Sequence, residues 1–559
     1  SPLAVGFPDL SEVASQDYGL ASLPQQLRSL LSGSDEEDVV SAFLDSWSQG
    51  DFEAAYDMLA SDSPIRDGQS QAEWAERRRH WSAQARPENL KLTFMQERDE
   101  ESEEGPVSIE IGWSLAYTET ALDNTLKELP TATVAYAETR RHWFWASYTF
   151  IEEDDDLLIH SITDEGVTTQ NLPSEELEKR MQEVAELAAA RLQEVEAQVG
   201  RLEEEEDEEE FEEEDEDEEE EFEEDEDEEE DLDDLEFTGM VHQVEEAIRI
   251  TTLAMHYNDV YIAQSPPGDP AAYQSAYDEA QAIEDHERAA AYAQLLAERF
   301  PEQRGDALRK LSLALFSISE AYAEQDDEEQ TTHFLTLAEQ ALRDSIAIDQ
   351  APFGYIMLAQ TLIAQNKQID EAESLLHQVQ ASHLEPKEET LVEEGLAKIA
   401  RLQGENTEAL RHYQRAAEIS PDFPGVWFSI GSLQRELNQI DEAEQSFLRS
   451  LEMNPEQIEA YSELALIYAE VQRDLTKAQD ILEQGLEIAP DSAELLAILA
   501  MVLMQQGDLR TAGELLDEAE EIDPELEVVQ KVRETYNTLK LALRPPSKHK
   551  AKHHKTKKK

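Results

Sequence analysis

Ionisable side chains are concentrated in two segments of opposite charge. Glu203–Glu236 contains 30 acidic residues in 34 positions, and Lys548–Lys559 contains seven lysines and three histidines in 12. A polyanion of this kind attracts basic proteins, and a polycation attracts nucleic acid or anionic lipid. Because only four apolar residues interrupt the acidic run, it cannot form a core. We therefore predict a disordered acidic linker over 203–236 and a disordered basic tail over 544–559.

The excess of acidic residues extends well beyond that run. The chain of 559 residues carries 129 Asp and Glu against 44 Lys and Arg, and its formal net charge is −85. Binding to a phosphate backbone needs a basic face. The composition therefore argues against nucleic acid as a ligand, except through the basic tail.

Side chains for covalent or metal chemistry are scarce. Cysteine is absent, which removes disulfides, thiol nucleophiles and cysteine-ligated zinc. The sequence also lacks a glycine-rich phosphate loop, the His-Glu-x-x-His metal motif and the Gly-x-Ser-x-Gly nucleophile motif. These observations predict no catalytic residue, no cofactor and no metal site, and they favour a non-enzymatic protein.

A repeated pattern of small residues organises the C-terminal half of the chain. Six alanines recur at spacings of 34, 37, 34, 35 and 34 residues, namely Ala338, Ala372, Ala409, Ala443, Ala478 and Ala512. About five residues before the last five of these alanines stand turn residues or a polar pair, which are Asn366, Gly404, Asn438, Arg473-Asp474 and Gly507. A period near 34 is typical of helix-turn-helix repeats that stack into a solenoid, since alanine lets two helices approach closely.

These positions resemble the tetratricopeptide (TPR) family over residues 301–541. The unit that begins at Pro424 carries the fullest match to the family pattern, through Trp427, Gly431, Ala443, Phe447 and Pro455. Less complete units begin at Thr390, Ile458 and Ala493, and a degenerate one is suggested by Ala289 and Pro301 within a helical region over 237–300. The resemblance implies an all-α superhelix whose concave groove binds a partner protein.

The family's geometry places four positions of each first helix on the concave wall of the groove. The wall residues that we predict to form the protein-binding groove are Ile356, Ile363, Lys398, Arg401, Phe428, Arg435, Leu466, Met501 and Met504. They depart from the Lys, Asn and Arg pattern of TPRs that clamp a C-terminal carboxylate. Their apolar members form a broken strip suited to an amphipathic helix or an extended peptide. The alternative is that some of them pack against the next repeat.

The N-terminal third has a different periodicity. Apolar spacing predicts two helices over 35–59 with a break at Gln49-Gly50-Asp51, and a third helix over 71–85. Alternation predicts strands over 90–96, 107–117, 131–151 and 157–163. The order predicts an α+β domain over 35–168, after a flexible segment over 1–34. The chain is therefore expected to be multidomain.

This domain resembles bacterial NTF2-like domains through its Trp47-x-x-Gly50-Asp51-Phe52 entry and its late strand pair, although half of a TPR could imitate the entry. The resemblance implies a cone, with helices on an antiparallel sheet, whose open end can hold a small ligand. Some relatives are isomerases or dehydratases that use Asp, Tyr or His in the cone, for which the candidates here are Tyr56, Asp62, His142, Tyr148 and His160. Their spacing does not define an acid-base pair. The alternative is that Tyr56 and Tyr148 lie at the edge of the core and that His142 and His160 are strand residues.

The strand around residue 145 is apolar on both faces. Trp143 and Trp145 project from one face, and Phe144, Tyr148 and Phe150 project from the other. Two tryptophans in water would be unfavourable, so the first face needs a cover. We expect either a second copy of the domain, which makes Trp143 and Trp145 a possible dimer face, or a helix predicted over 174–202.

The sequence favours a protein-protein interaction scaffold in which the TPR groove binds the partner and the NTF2-like domain dimerises or binds a small ligand. One alternative is an acidic chaperone for basic proteins, resembling the histone chaperones that combine TPRs with an acidic stretch. Another is an NTF2-like enzyme targeted by its TPRs. No run of eighteen apolar residues and no signal-peptide pattern occurs, so we expect a cytoplasmic location without membrane contact. Because the sequence begins at Ser1, it leaves open whether an upstream segment was removed.

Overall fold

The computed structural model describes residues 35–97, 108–118, 130–153, 156–191, 246–264, 268–325, 327–524 and 526–542. The chain divides into two compact units, Ser1–Gly354 and Tyr355–Lys559. The predicted flexible segment, acidic run and basic tail lie outside the described residues. The boundary between the units falls inside the predicted TPR array rather than at the acidic run.

The first unit begins with helices α1 (Asp35–Gln49), α2 (Phe52–Asp57) and α3 (Gln71–Ala85). Gly50 separates the first two with a φ of +79°, a conformation that glycine adopts without steric cost. A capping box between Ser70 and Glu73 starts α3. The predicted helices and the break between them are confirmed.

A five-stranded antiparallel sheet follows these helices. Its strands are β1 (Glu88–Glu97), β2 (Ser108–Ala116), β3 (Val134–Tyr136), β4 (Arg141–Glu153) and β5 (Asp156–Asp164). The order is β1-β2-β4-β3, and β5 pairs with β4 beyond the end of β3. The strand predicted over 131–151 is two strands, because the chain reverses at Arg140 with a φ of +61°. The predicted α+β fold is confirmed, and its identity as an NTF2-like cone stays a prediction.

One face of the sheet forms an aromatic core with the first three helices. Trp113 stacks on Phe144 with ring centroids 4.2 Å apart, and Trp47 lies 4.8 Å from Trp81. These side chains are buried. The large aromatic content of this domain is therefore explained by packing.

Helices of the same unit cover the opposite face of the sheet. After α4 (Glu165–Gln170), helices α5 (174–191) and α6 (246–264) pack around Trp145, while α7 (Pro270–Ala282) and α8 (His286–Arg299) pack around Trp143. Trp143 and Trp145 are at most 1% exposed. The expected dimer face is therefore wrong for these two residues, and the alternative of a covering helix is correct for Trp145.

Helices α5 and α6 run antiparallel, side by side. Ser174 contacts Gln264 at 3.3 Å near one end, and Arg191 lies 3.2 Å from Glu246 at the other. The described helices on either side of residues 192–245 therefore have their adjoining ends close together, and both belong to the first unit. The acidic run itself lies outside the described residues, so a disordered linker over 203–236 stays a prediction.

Helices, most of them in successive pairs, make up most of the described residues from 304 to 542. The helices are α9 (Arg304–Glu324), α10 (Glu328–Asp349), α11 (Pro352–Ala364), α12 (Ile369–Gln380), α13 (Pro386–Leu402), α14 (Asn406–Ile419), α15 (Val426–Glu436), α16 (Ile440–Met453), α17 (Ile458–Leu466), α18 (Leu475–Ile488), α19 (Ala493–Gln506), α20 (Leu509–Ile522) and α21 (Glu527–Ala542). The degenerate unit predicted around Ala289 is the helix pair α7 and α8. The predicted helical-repeat architecture is confirmed.

The repeat pattern has a direct mechanical reason in the structure. All six spaced alanines are fully buried. The turn residues before five of them have left-handed backbones, with φ of +50° at Asn366, +77° at Gly404, +60° at Asn438, +61° at Arg473 and +98° at Gly507. A Cβ added to Gly431 would lie 2.8 Å from the Phe447 ring. Small and turn-forming residues are therefore required where the pattern places them.

A π-helical segment accounts for the 35-residue spacing between Ala443 and Ala478, which is one residue longer than the spacings before and after it. Ile467–Gln472 adopts this wider helix directly after α17. Ala465 and Ala478 are 13 residues apart, whereas the equivalent residues Gly431 and Ala443 are 12 apart. A single inserted residue is the usual origin of such a segment. The insertion leaves Val471 56% exposed.

Candidate functional site

The predicted groove lies along the first helices of the second unit, α11, α13, α15, α17 and α19. Three of its nine predicted wall residues are buried. Ile356 is fully buried, and the exposed fractions of Ile363 and Met504 are 9% and 8%. They belong to the packed interior of the array, so they are not available to a partner. For these three the alternative of packing within the array is correct.

The three basic wall residues form ion pairs with neighbouring carboxylates. Lys398 pairs with Glu394 within α13 at 2.7 Å. Two pairs cross from one repeat to the next, Arg401 with Glu436 at 3.2 Å and Arg435 with Glu463 at 2.8 Å. Exposed pairs of this kind contribute about 0.2–1 kcal/mol each. Their main consequence is that these cations are already neutralised.

The remaining three wall residues are apolar and half-buried. Phe428, Leu466 and Met501 stand on three successive first helices and pack partly against the core of the second unit. The Phe428 ring lies 5.6 Å from the ring of Phe447 beneath it. Each side chain thus keeps an accessible side. We call these three residues the apolar strip.

The carboxylate of Glu463 beside the apolar strip is a feature that the sequence reasoning missed. Burial raises the pKa of Glu463, Arg435 opposes this shift, and the nearby negative charges of Glu494 and Glu436 add to it. Glu494 is half-buried, and its carboxylate makes neither a hydrogen bond nor an ion pair with a described residue. Glu463 escaped notice because it stands one position beyond those that the family geometry assigns to the wall. A charge tally over whole first helices would have found it.

The five candidate acid-base residues of the N-terminal domain do not form one constellation. The Tyr56 hydroxyl donates to the Gln69 carbonyl at 2.8 Å, and the His142 ring is buried against Tyr117. Tyr148 is buried in the aromatic core. It stands six residues from His142 on the same strand, a separation of roughly 20 Å.

Asp62 and His160, the remaining two candidates, approach to 3.8 Å on the surface, where their side chains are 72% and 38% exposed. This separation exceeds the distance of a hydrogen bond, so the pair does not transfer a proton directly in this arrangement. A solvent-exposed contact of this kind offers no enclosed cavity for a substrate. These contacts agree with the alternative that Tyr56 and Tyr148 are core residues and that His142 and His160 are strand residues, whereas Asp62 lies in an exposed turn.

A second polar constellation lies inside the first unit. Asp259 on α6 is fully buried and accepts hydrogen bonds from Arg288 and from the Tyr292 hydroxyl on α8. Burial raises the pKa of Asp259 to about 7, although Arg288 opposes the shift. Burial also raises the pKa of Glu279 to about 7 and lowers that of His256. Because these groups are enclosed, they position helices rather than receive a substrate.

Two further features are absent from the described ranges. These ranges contain no group of three His, Asp or Glu side chains arranged to hold a metal ion. No helix in them is long and apolar enough to cross a membrane.

Comparison with known proteins identifies the repeats. Models described as tetratricopeptide repeat match residues 424–457 and 472–534, and a model described as TPR repeat matches 397–436. The second unit therefore contains TPR repeats. The curated "Protein CTR9 homolog" of Arabidopsis thaliana is 33% identical over 109 residues, which cover 19% of this chain and 10% of that protein. The chain thus spans about a tenth of the length of the curated relative it matches.

Similar solved structures include two proteins that the chain covers almost completely. YrrB, described as a TPR protein with an unusual peptide-binding site, is 17% identical with a TM-score of 0.30, over 35% of this chain and 99% of that one. Pseudomonas aeruginosa pilF is 17% identical with a TM-score of 0.32, over 41% and 99%. The APC/C hetero-tetramer Cut9-Hcn1 contains a chain that is 15% identical with a TM-score of 0.36, over 51% of this chain and 52% of that one.

Proposed function

We propose that the protein is a non-enzymatic interaction scaffold whose second unit binds a peptide or helix of a partner protein in its groove. The observation that carries this proposal is the apolar strip. Phe428, Leu466 and Met501 each retain accessible apolar surface on successive first helices. Helix-in-groove recognition uses apolar anchors of this kind, one or two turns apart on the bound segment.

The proposal is tested by affinity capture with the full chain and a pair of matched variants. Met501→Asp puts a charge on the apolar strip and should abolish capture of the partner. Met453→Asp makes the same change on α16, where the side chain is 48% exposed, and should leave capture intact. Equal capture by both variants would contradict the proposal.

An acidic chaperone for basic proteins is the second candidate, favoured by the 30 acidic residues of Glu203–Glu236. The two functions respond differently to salt, because a Debye length of roughly 3 Å at 1 M screens contacts between exposed charges. Capture through the apolar strip should survive 1 M salt and deletion of the acidic run. Capture that is lost under both conditions, yet unaffected by Met501→Asp, would favour the chaperone. The comparison is repeated without residues 544–559, which could occupy the acidic run.

For the N-terminal domain we propose a role in binding a small ligand. The indole N–H groups of Trp47, Trp81 and Trp113 are buried without an acceptor in the described part of the chain. Buried donors are nearly always satisfied, so a ligand carbonyl or carboxylate in the aromatic core would complete them. A thermal-shift screen of the full chain with small carboxylic acids and ketones tests this role. A compound that stabilises the chain, and does so less in the Trp81→Phe variant, would support this role. A screen in which no compound stabilises the chain would contradict it.

A further inference from the structure

The groove carries an excess of negative charge around the apolar strip. Four carboxylates stand on α15, α17 and α19, namely Glu436, Glu459, Glu463 and Glu494. The guanidinium groups that pair with this set are those of Arg401 and Arg435. The local balance is therefore two negative charges in excess.

Two of these carboxylates have unused hydrogen-bonding capacity. Arg435 Nε lies 2.8 Å from Oε2 of Glu463, but this buried oxygen accepts no hydrogen bond from a described residue, and neither does Oε1. Glu494 on the neighbouring first helix is close enough for its charge to act on Glu463 and has no cationic partner among the described residues. Leu466 follows Glu463 by one helical turn, and Met501 follows Glu494 by two. Acidic and apolar groups thus alternate along the same part of the groove.

We propose that the groove selects an amphipathic partner segment that carries one lysine or arginine among apolar residues, with the cation between Glu463 and Glu494 and the apolar side chains on Leu466 and Met501. This inference rests on the proposed function, since it specifies the partner of the same groove. A partly buried carboxylate that lacks a full set of donors is stabilised by a cation that it could not obtain from an apolar partner alone. A purely cationic segment would leave the apolar strip in water.

The two requirements are separated with three synthetic probes. The first is an acetylated 14-residue alanine-based helix with Leu, Lys and Leu at positions 4, 7 and 11. The second replaces the Lys with Glu, and the third is the peptide Lys548–Lys559, which is basic and has no large apolar side chain. Because the acidic run could bind basic peptides, all titrations use the full chain at 0.3 M salt, and affinity is read at individual sites.

Methionine methyl groups provide those sites. The chain has nine methionines, and ¹³C-methyl labelling gives one NMR signal for each. The Lys probe should shift the Met501 signal and leave those of Met58 and Met95 in the first unit unchanged. It should bind about tenfold more tightly than the Glu probe. Glu494→Gln should reduce this ratio several-fold with an otherwise unchanged methyl spectrum, which shows that the variant is folded.

Other outcomes would overturn the inference in distinguishable ways. Equal affinities of the Lys and Glu probes at Met501 would remove the need for a cation and leave the scaffold function intact. If the peptide Lys548–Lys559 shifted the Met501 signal as much as the Lys probe does, the groove would recognise positive charge without apolar side chains. No Met501 shift with any probe would overturn the inference, whereas the scaffold function depends on the separate comparison of Met501→Asp with Met453→Asp.

Discussion

Trp143 on the sheet donates its indole N–H to Oδ2 of Asp285 across 2.9 Å, while Oδ1 of Asp285 accepts the backbone N–H of Arg288 at 3.1 Å. A single carboxylate therefore holds the sheet and caps the start of α8. Arg141 adds an ion pair with Glu287 two residues further along. The N-terminal sheet and the helices after the acidic run are consequently joined by specific polar contacts as well as by apolar packing.

The first prediction concerns this hydrogen bond. Trp143→Phe keeps a buried aromatic ring and removes the donor to Asp285, so it should lower the free energy of unfolding of the first unit by about 1–2 kcal/mol. Urea unfolding monitored by circular dichroism measures the change. Trp427→Phe is the control, because its indole N–H donates to the Pro421 carbonyl at an exposed site. A loss no larger than that of the control would show that the bond to Asp285 contributes little.

The second prediction is a pH dependence set by Glu279. Ser275 donates to its carboxylate at 2.8 Å, and burial raises its pKa from 4.5 to about 7. Since the folded state holds the proton to higher pH than the unfolded state, stability is full below about pH 4.5 and falls as pH rises through 7. Glu279→Gln should remove a decrease on the order of 2 kcal/mol between pH 5 and pH 8.

Urea midpoints measured from pH 5 to pH 8 test this dependence. Asp259 has a raised pKa of about 7 and His256 a lowered one, so the variant should flatten the profile without making it constant. Glu302→Gln changes an exposed carboxylate and should leave the profile as it is. A profile that is equally steep with and without Glu279 would refute the assignment.

The third prediction is that Gly431 cannot carry a side chain while Phe447 is present. The added Cβ would lie 2.8 Å from the ring, and Phe447 is fully buried, so the ring has no free space to occupy. Gly431→Ala should destabilise the second unit by about 1–3 kcal/mol. In a double-mutant cycle, Phe447→Leu should recover part of this loss when it is combined with Gly431→Ala. Additive losses would mean that the two residues do not compete for the same volume.

The fourth prediction uses the inserted residue of the π-helical segment. Deleting Val471 should restore a regular helix and leave the stability of the second unit unchanged to within about 0.5 kcal/mol, because the segment Ile467–Gln472 contains one residue more than an α-helix needs. Deleting Leu499 from the regular helix α19 is the control. It rotates every following position by about 100° and should unfold the neighbouring repeats. Hydrogen exchange distinguishes local from general loss of protection.

The fifth prediction concerns Arg473, an exposed residue in a left-handed conformation with a φ of +61°. Glycine adopts this conformation without a steric penalty, so Arg473→Gly should stabilise the second unit by about 0.5–1 kcal/mol. Arg510→Gly on α20 should have the opposite sign, since glycine destabilises a helix by about 1 kcal/mol. Thermal unfolding of the two variants side by side would settle the sign.

Local features of this fold could be predicted from the sequence. The turn at Gly404 and the burial of Ala443 follow from spacing, because both depend on neighbours within one repeat. The cover of Trp143 could not be predicted, since strand alternation identifies an apolar face but not the segment that covers it. Asp285 lies 142 residues further along the chain. Contacts at such separation leave no periodic signal.

The same limit to prediction from the sequence applies to the residues of the groove. Phe428 and Met501 were identified from their positions in the repeat, but the burial of Ile356 and the pairing of Arg435 with Glu463 depend on how successive repeats stack. A position within one repeat does not specify the side chain that the next repeat brings against it. The charge balance around the apolar strip is therefore a property of the assembled array.

The contact between Arg191 and Glu246 holds the ends of α5 and α6 together, whatever the number of residues that connect them. Since the two helix ends are held together, the polypeptide between them can grow or shrink without moving either helix. By the general relation for loop closure, each doubling of the number of residues between two joined ends costs only about 0.6 kcal/mol. The number of acidic residues between the two helix ends sets the charge available to a basic partner, whereas the contact that joins α5 and α6 depends only on Arg191 and Glu246.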